Sequence, residues 1–112
     1  MSICIAPIEK FRDYIFKLGA THGKDHVFRS LGYNRSHSAE LAYLYEQAAD
    51  ERYSRQDFAL GLLDQYGQRI TIEIHLIGIG SNAHRQSYLL SGWMIQSDGS
   101  ITLNTPFSGF AR

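Results

Sequence analysis

Apolar residues recur along this chain with two periods, and the change from one to the other falls a little past residue 54. Ile8, Phe11, Ile15 and Phe16 stand at helical spacing behind Pro7, whose fixed φ suits a helix start. A short first helix is predicted over Ile8–Phe16, ended by Leu18-Gly19. Val27, Phe28 and Leu31 share one face of a second short helix, Lys24–Leu31, with Gly32 as its stop. Serines 36 and 38 offer caps, Glu40 supplies an early acid, and Leu41, Leu44, Tyr45, Ala48, Ala49 and Tyr53 continue as one stripe. That is the longest helix, roughly Ser38–Ser54.

Beyond it the period is two. Phe58, Leu60 and Leu62 alternate, as do Ile70, Ile72, Ile74 and Leu76, with Gln65-Tyr66-Gly67 between the runs. A three-residue loop ending on a left-handed Gly67 pairs Leu62 with Ile70, Leu60 with Ile72 and Phe58 with Ile74, so every inward residue meets another. Glu73 and His75 then lie on the opposite face. Ile77–Arg85 reads as a glycine-containing loop. Strands over Gln86–Gln96 and Ile101–Thr105 flank Ser97-Asp98-Gly99-Ser100, where Asp-Gly signals a type I′ turn that pairs Met94 with Leu103 and Trp93 with Asn104. Pro106, having no N–H, ends the last strand. The expected class is α+β: about three N-terminal helices, then a four-stranded antiparallel β-meander, in one domain spanning 1–112.

Composition narrows the function less than the fold. The chain has 112 residues, 44% of them hydrophobic, enough for one core without staples. A single cysteine, Cys4, forms no internal disulfide and is expected to be a structural thiol in a reducing compartment. No apolar stretch approaches the roughly 20 residues of a membrane span, and the N-terminus lacks a secretion-signal layout, so a soluble protein acting in the cytoplasm, with no membrane partner, is expected. Eleven Lys and Arg cancel eleven Asp and Glu, yet the charges are segregated. Lys10, Arg12, Lys17, Lys24, Arg29 and Arg35 face only Asp13 and Asp25, whereas residues 38–73 carry seven acids against three arginines. A basic lobe suited to phosphate thus precedes an acidic helix suited to docking a partner, although two solvated faces would look the same.

Two places could carry chemistry. Thr21-His22-Gly23-Lys24-Asp25-His26 gathers ionisable groups at the mouth of a predicted helix, where unpaired N–H groups and Lys24 favour an anion. His22 and His26 are four apart, but His22 precedes Gly23 and neither a following Glu nor a third ligand is indicated, so no metal is expected. His75, beside Glu73 and Thr71, can exchange protons near neutrality, while Trp93 and Asn104 on that face could stack on a base and bond to it. There is no Walker loop, no nucleophile elbow and no zincin motif, and Gly78-Ile79-Gly80 lacks the third glycine of a dinucleotide site.

Two blocks carry a family resemblance. Tyr14-Ile15-Phe16 followed by residues 23–33, with a lysine opening a helix and a Phe-x-x-Leu-Gly-aromatic end, and Ser91-Gly92-Trp93-Met94-Ile95 followed by Leu103-Asn104-Thr105-Pro106-Phe107, are similar to a family of small C-terminal domains of bacterial polymorphic and contact-dependent toxins. Its fold is grouped with the barnase, EndoU and RelE-like ribonucleases. The chain begins at its own Met1, as an excised toxin segment or a stand-alone relative would.

The resemblance implies metal-independent RNA cleavage through attack of the 2′-hydroxyl on its phosphodiester, with no cofactor. The positions carried over from it are Lys24, for phosphate stabilisation, and Thr105, for orienting a phosphate oxygen; the residues themselves offer His26 or His75 for proton transfer, and His22, Arg29, Trp93 and Asn104 as contacts to substrate. The implied partners are RNA, with tRNA as one candidate, and a cognate immunity protein. The competing expectation is a non-catalytic interaction module that uses the Trp93 sheet face or the acidic third helix.

Overall fold

Phe11, Ile15 and Phe16 all have to reach one side of the chain, and a turn that closes on the fifth residue sets 15 and 16 on either side of 11. In the computed structural model, which describes residues 3–112, this stretch is a π-helical turn, Lys10–Ile15, with the Phe16 amide donating to the Phe11 carbonyl at 2.8 Å. All three side chains are buried. Helix α1 (Asp25–Ser30) is also short and ends in a Schellman motif: Gly32 takes φ 94°, and the Tyr33 amide donates to the Phe28 carbonyl at 3.0 Å. Helix α2 (Ser38–Ser54) matches its predicted span. Its approach turn is capped by Asn34, whose side chain accepts from the Ser36 amide at 2.9 Å, and not by the serines.

The sheet has five strands, so the expected four-stranded meander is incomplete, and the expected three helices reduce to one main helix, α2, with a π-helical turn and the six-residue α1 in place of the other two. Strands β1 (Cys4–Ile5), β2 (Ala59–Asp64), β3 (Gly67–Ile77), β4 (Gln86–Ile95) and β5 (Ile101–Phe110) lie in the order β1-β5-β4-β3-β2. The added strand, β1, runs parallel to β5 and makes the sheet mixed. Two acids of α2 hold it. The Cys4 amide donates to Asp50 Oδ1 at 2.9 Å and the Ala6 amide to Glu46 Oε2 at 2.8 Å. Part of the acidic surplus is therefore structural.

Both hairpins depart from the predicted register. Gly67 has φ 137° as expected, but Leu60 pairs with Ile70 and Leu63 with Gln68 across an irregularity, so Leu60, Leu62 and Leu63 project into solvent. Only Phe58 of that run packs against the core. In the second hairpin Trp93 meets Leu103 and Met94 meets Thr102. Gly99 has φ 88° while Asp98 does not enter the left-handed region, which rules out a type I′ turn; Asp98 Oδ1 instead accepts the Ser100 amide at 2.9 Å. Strand β5 also runs on past Pro106, because Gly92 pairs with Thr105 and Leu90 with Gly109, leaving Pro106 in a bulge where no N–H is required.

The core lies between α2 and one sheet face. Ile70, Ile72, Ile74 and Leu76 point into it with Leu89, Trp93, Ile101 and Leu103, below Leu41, Tyr45 and Ala49. Its polar atoms are paired: the Tyr45 hydroxyl donates to the Pro106 carbonyl at 2.8 Å, and Trp93 Nε1 donates to Ser91 Oγ at 2.8 Å, which donates onward to the Ile72 carbonyl at 2.7 Å. Among the described residues no helix is long and apolar enough to cross a membrane.

Two outcomes follow. A Cβ on Gly67 would collide with the Ile95 carbonyl oxygen at a φ that L-residues avoid, so Gly67→Ala should cost about 2 kcal/mol or more in urea denaturation; an unchanged midpoint would contradict this register. Cys4 is wholly buried, and burial, then the Asp50 and Glu46 carboxylates, push its thiol pKa up to about 12. Native protein at pH 8 should be alkylated on the order of a thousandfold more slowly than unfolded protein. By linkage, the thiol's contribution to stability is complete below the unfolded pKa and is lost as pH climbs toward the folded value; equal alkylation rates would refute the burial.

Candidate active site

Because Ile70, Ile72, Ile74 and Leu76 face the helix, Thr71, Glu73 and His75 must point to the outer face of the sheet, where Glu73 and His75 border a cavity whose other side is the C-terminal end of α2. The register sets Glu73 opposite Leu90 and His75 opposite Tyr88. The His75 and Tyr88 rings stack with centroids 4.4 Å apart and planes at 12°, and His75 Nε2 donates to Gln86 Oε1 at 2.7 Å. The Arg112 guanidinium lies 4.1 Å from the centroid of the same Tyr88 ring.

Glu73 receives two guanidiniums on one oxygen. Arg112 donates to Oε2 at 3.0 Å and Arg52, reaching round from α2, at 3.2 Å. Arg52 is itself tied to Asp57 at 2.7 Å, a bond that holds the guanidinium above its ordinary pKa. The other Glu73 oxygen, Oε1, makes no hydrogen bond among the described residues and can accept a proton. Two residues apart on one strand face, Glu73 and His75 are separated by about 6.6 Å of backbone rise, room for a phosphoryl group between them. Arg112, its side chain 64% exposed, can leave Glu73 for an anion at small cost.

Thr105 belongs to this face. A Cβ on Gly92, which pairs with both Thr71 and Thr105, would lie 3.6 Å from the Thr105 Cβ, so the missing side chain leaves an open floor between two threonines. Asn104 is exposed in the adjoining bulge. Trp93 is a correction: it points into the core and is 1% exposed, so it offers no surface to a base or a protein partner.

The N-terminal candidates form a separate cluster. The Lys24 amide donates to His22 Nδ1 at 2.9 Å, so the proton is on Nε2, which donates to the Tyr14 carbonyl at 2.8 Å. Both His22 nitrogens are thus engaged in pinning the loop. Lys24 Nζ lies 5.3 Å from the Tyr14 ring centroid, beside a cavity of about 390 Å³ lined by Tyr14, Lys17, Thr21 and His22. Arg29 pairs with Asp25 at 2.8 Å and holds that carboxyl below its ordinary pKa. His26 is exposed beside Gly23. No hydrogen bond, ion pair or ring contact among the described residues joins this cluster to His75 or Thr105. Nor do any three His, Cys, Asp or Glu among them converge as a metal site.

Reading the sequence missed Arg52, Gln86, Tyr88 and Arg112. Tyr88 becomes visible once β3 and β4 are aligned through the loop between them, but Arg112 lies beyond every periodic element and leaves no signal.

Residues 2–106 match the family described as "Domain of unknown function (DUF6883)". The chain also superposes, with a TM-score of 0.63 at 20% identity and 94% coverage of both chains, on a chain of a contact-dependent growth inhibition toxin–immunity protein complex from Klebsiella pneumoniae 342. At that identity the likeness concerns the fold. No curated protein matches the chain significantly.

His22→Ala removes both bonds that pin the Thr21–Lys24 loop. The Lys24 amide should then exchange with solvent about tenfold faster or more, while global stability falls by no more than about 1 kcal/mol; unchanged exchange in NMR would show that the loop is held by something else.

Proposed function

The chain belongs to the DUF6883 family, and from that premise and the outer-face constellation we propose that it is a contact-dependent toxin domain that cleaves RNA without a metal. The complex it resembles has two components. The resemblance of the Lys24 and Thr105 blocks to toxin C-termini selects the toxin side. The observation that carries the chemistry is one exposed sheet face presenting Glu73 Oε1, the His75 imidazole and two guanidiniums together.

Glu73 Oε1 takes the proton of the RNA 2′-hydroxyl as that oxygen attacks the neighbouring phosphorus. Arg112 and Arg52 then turn from the carboxylate to the phosphorane oxygens, stabilising charge that exists only in the transition state. Protonated His75 gives its proton to the departing 5′-oxygen, leaving a 2′,3′-cyclic phosphate and a 5′-hydroxyl. Base, acid and positive charge are all side chains. Thr105 orients a phosphate oxygen over the Gly92 floor, Asn104 flanks it, and Lys24, with His26, Arg29 and the loop pinned by His22, holds RNA backbone away from the bond that breaks. tRNA is one candidate substrate, the place of action is the cytoplasm of a target cell, and an immunity protein is the natural antagonist. Of the two surfaces the non-catalytic alternative called on, Trp93 is buried and α2 remains.

The test uses total RNA in EDTA. His75→Ala, at an exposed position, should leave thermal stability within about 0.5 kcal/mol and lower kcat roughly 100- to 1,000-fold. Lys24→Ala should raise KM and leave kcat nearly unchanged. A parent protein that cleaves nothing would favour the binding-module reading. An active His75→Ala would move the chemistry elsewhere, with a kcat loss in Lys24→Ala pointing to the N-terminal cluster.

A further inference from the structure

Strand β3 outruns its neighbour on one side. Its pairing with β2 ends at Ala59 and Thr71, yet the strand continues to Ile77 with β4 alone. Along a strand every second residue turns its N–H and C=O to the same edge. The Arg69 carbonyl faces β2, lying 3.3 Å from where a Gly61 Cβ would be, so Glu73, His75 and Ile77 turn theirs to that same edge past the end of β2. At Ile77 the Tyr33 hydroxyl supplies a donor at 2.8 Å. Among the described residues no strand pairs with Glu73 and His75 there.

A groove of about 490 Å³ runs along this open edge. Its far wall is the α2 stripe Glu40, Leu44, Gln47, Ala48 and Glu51, at helical spacing, and its floor is the margin of the core at Ile74 and Leu76. A helix wall facing an unpaired strand edge is the geometry in which an extended peptide adds as a further strand. Backbone bonds then give affinity, and alternate side chains settle on the apolar wall. The wall's charge selects the occupant. Glu40, in no ion pair among the described residues, carries the wall's uncompensated charge, and Glu51, held only loosely by Arg55 at 3.7 Å with both side chains exposed, adds to it. With uncharged Gln47 between them they repel a nucleic-acid backbone and attract lysines and arginines, and RNA has no amide ladder to offer.

We propose that this groove receives an extended, Lys- or Arg-bearing strand of the immunity protein, which pairs with β3 at Glu73 and His75; the identity of that partner rests on the toxin reading above. Such a strand bonds to the backbone of the very residues whose side chains perform the chemistry, and bulk beside them closes the outer face to RNA. The antagonist then need not imitate RNA.

The test measures amide hydrogen exchange of the whole ¹⁵N-labelled chain with and without the immunity protein that the toxin reading assigns to it. The Glu73 and His75 amides should slow at least about 100-fold in the complex. A Glu40→Lys, Gln47→Lys double variant should weaken the complex about tenfold or more and leave RNA cleavage by the chain alone unchanged. Protection at residues 60–63, with Glu73 and His75 unaltered, would put the partner on the exposed leucines of β2 and overturn the inference. So would an unchanged affinity of the double variant, or the absence of any complex. Exchange is read without reference to cleavage, so an inactive chain that still shows this protection would overturn only the nuclease reading.

Discussion

Four inward positions of β3 organise the molecule. Ile70, Ile72, Ile74 and Leu76 are each no more than 2% exposed, and burying such a side chain contributes about 1.5–3 kcal/mol. A slip of one residue would turn all four to solvent and bring Glu73 and His75 into the core, which no hydrogen-bonding pattern nearby could offset. The alternation that fills the core therefore also delivers a carboxylate and an imidazole to the outer face. Packing and chemistry share one register.

Charge is divided in a way that overall neutrality conceals. Glu46 and Asp50 accept from amides of β1, Asp57 and the Oε2 atom of Glu73 from Arg52, and Asp13 and Asp25 from arginines of the N-terminal lobe. Exposed charge is positive at Arg112, though it is paired with Glu73, and negative at Glu40 and at Glu51, which pairs loosely with Arg55. The two signs lie on different surfaces, one suited to RNA and one to a basic protein strand.

Period and punctuation made much of this legible from residues alone: the span of α2, the stop at Gly32, the conformation of Gly67 and the placing of Glu73 and His75 opposite the isoleucines. Other features were hidden for identifiable reasons. Strand β1 is two residues long and is held by acids some 40 positions away, so no local pattern announces it. The β2 leucines alternate like core residues but extend beyond the cover of α2. A bulge absorbed Pro106, and the turn at residues 97–100, which is not of type I′, had already shifted the pairing by one residue and set Trp93 against Leu103 on the inner face. The site's arginines come from a helix end and from the last residue of the chain, joined to Glu73 only by the tertiary fold.

In the proposed chemistry the 2′-hydroxyl is the nucleophile, Glu73 and His75 move the protons and no metal takes part. The most direct measurement is the chemistry of the ends produced when the purified chain cuts an RNA oligonucleotide in EDTA, together with the same oligonucleotide bearing one 2′-deoxy residue at the cut position. The account predicts 2′,3′-cyclic phosphate and 5′-hydroxyl ends, and no cutting of the deoxy substrate. Ends carrying a 5′-phosphate, or unimpaired cleavage at the 2′-deoxy position, would contradict it.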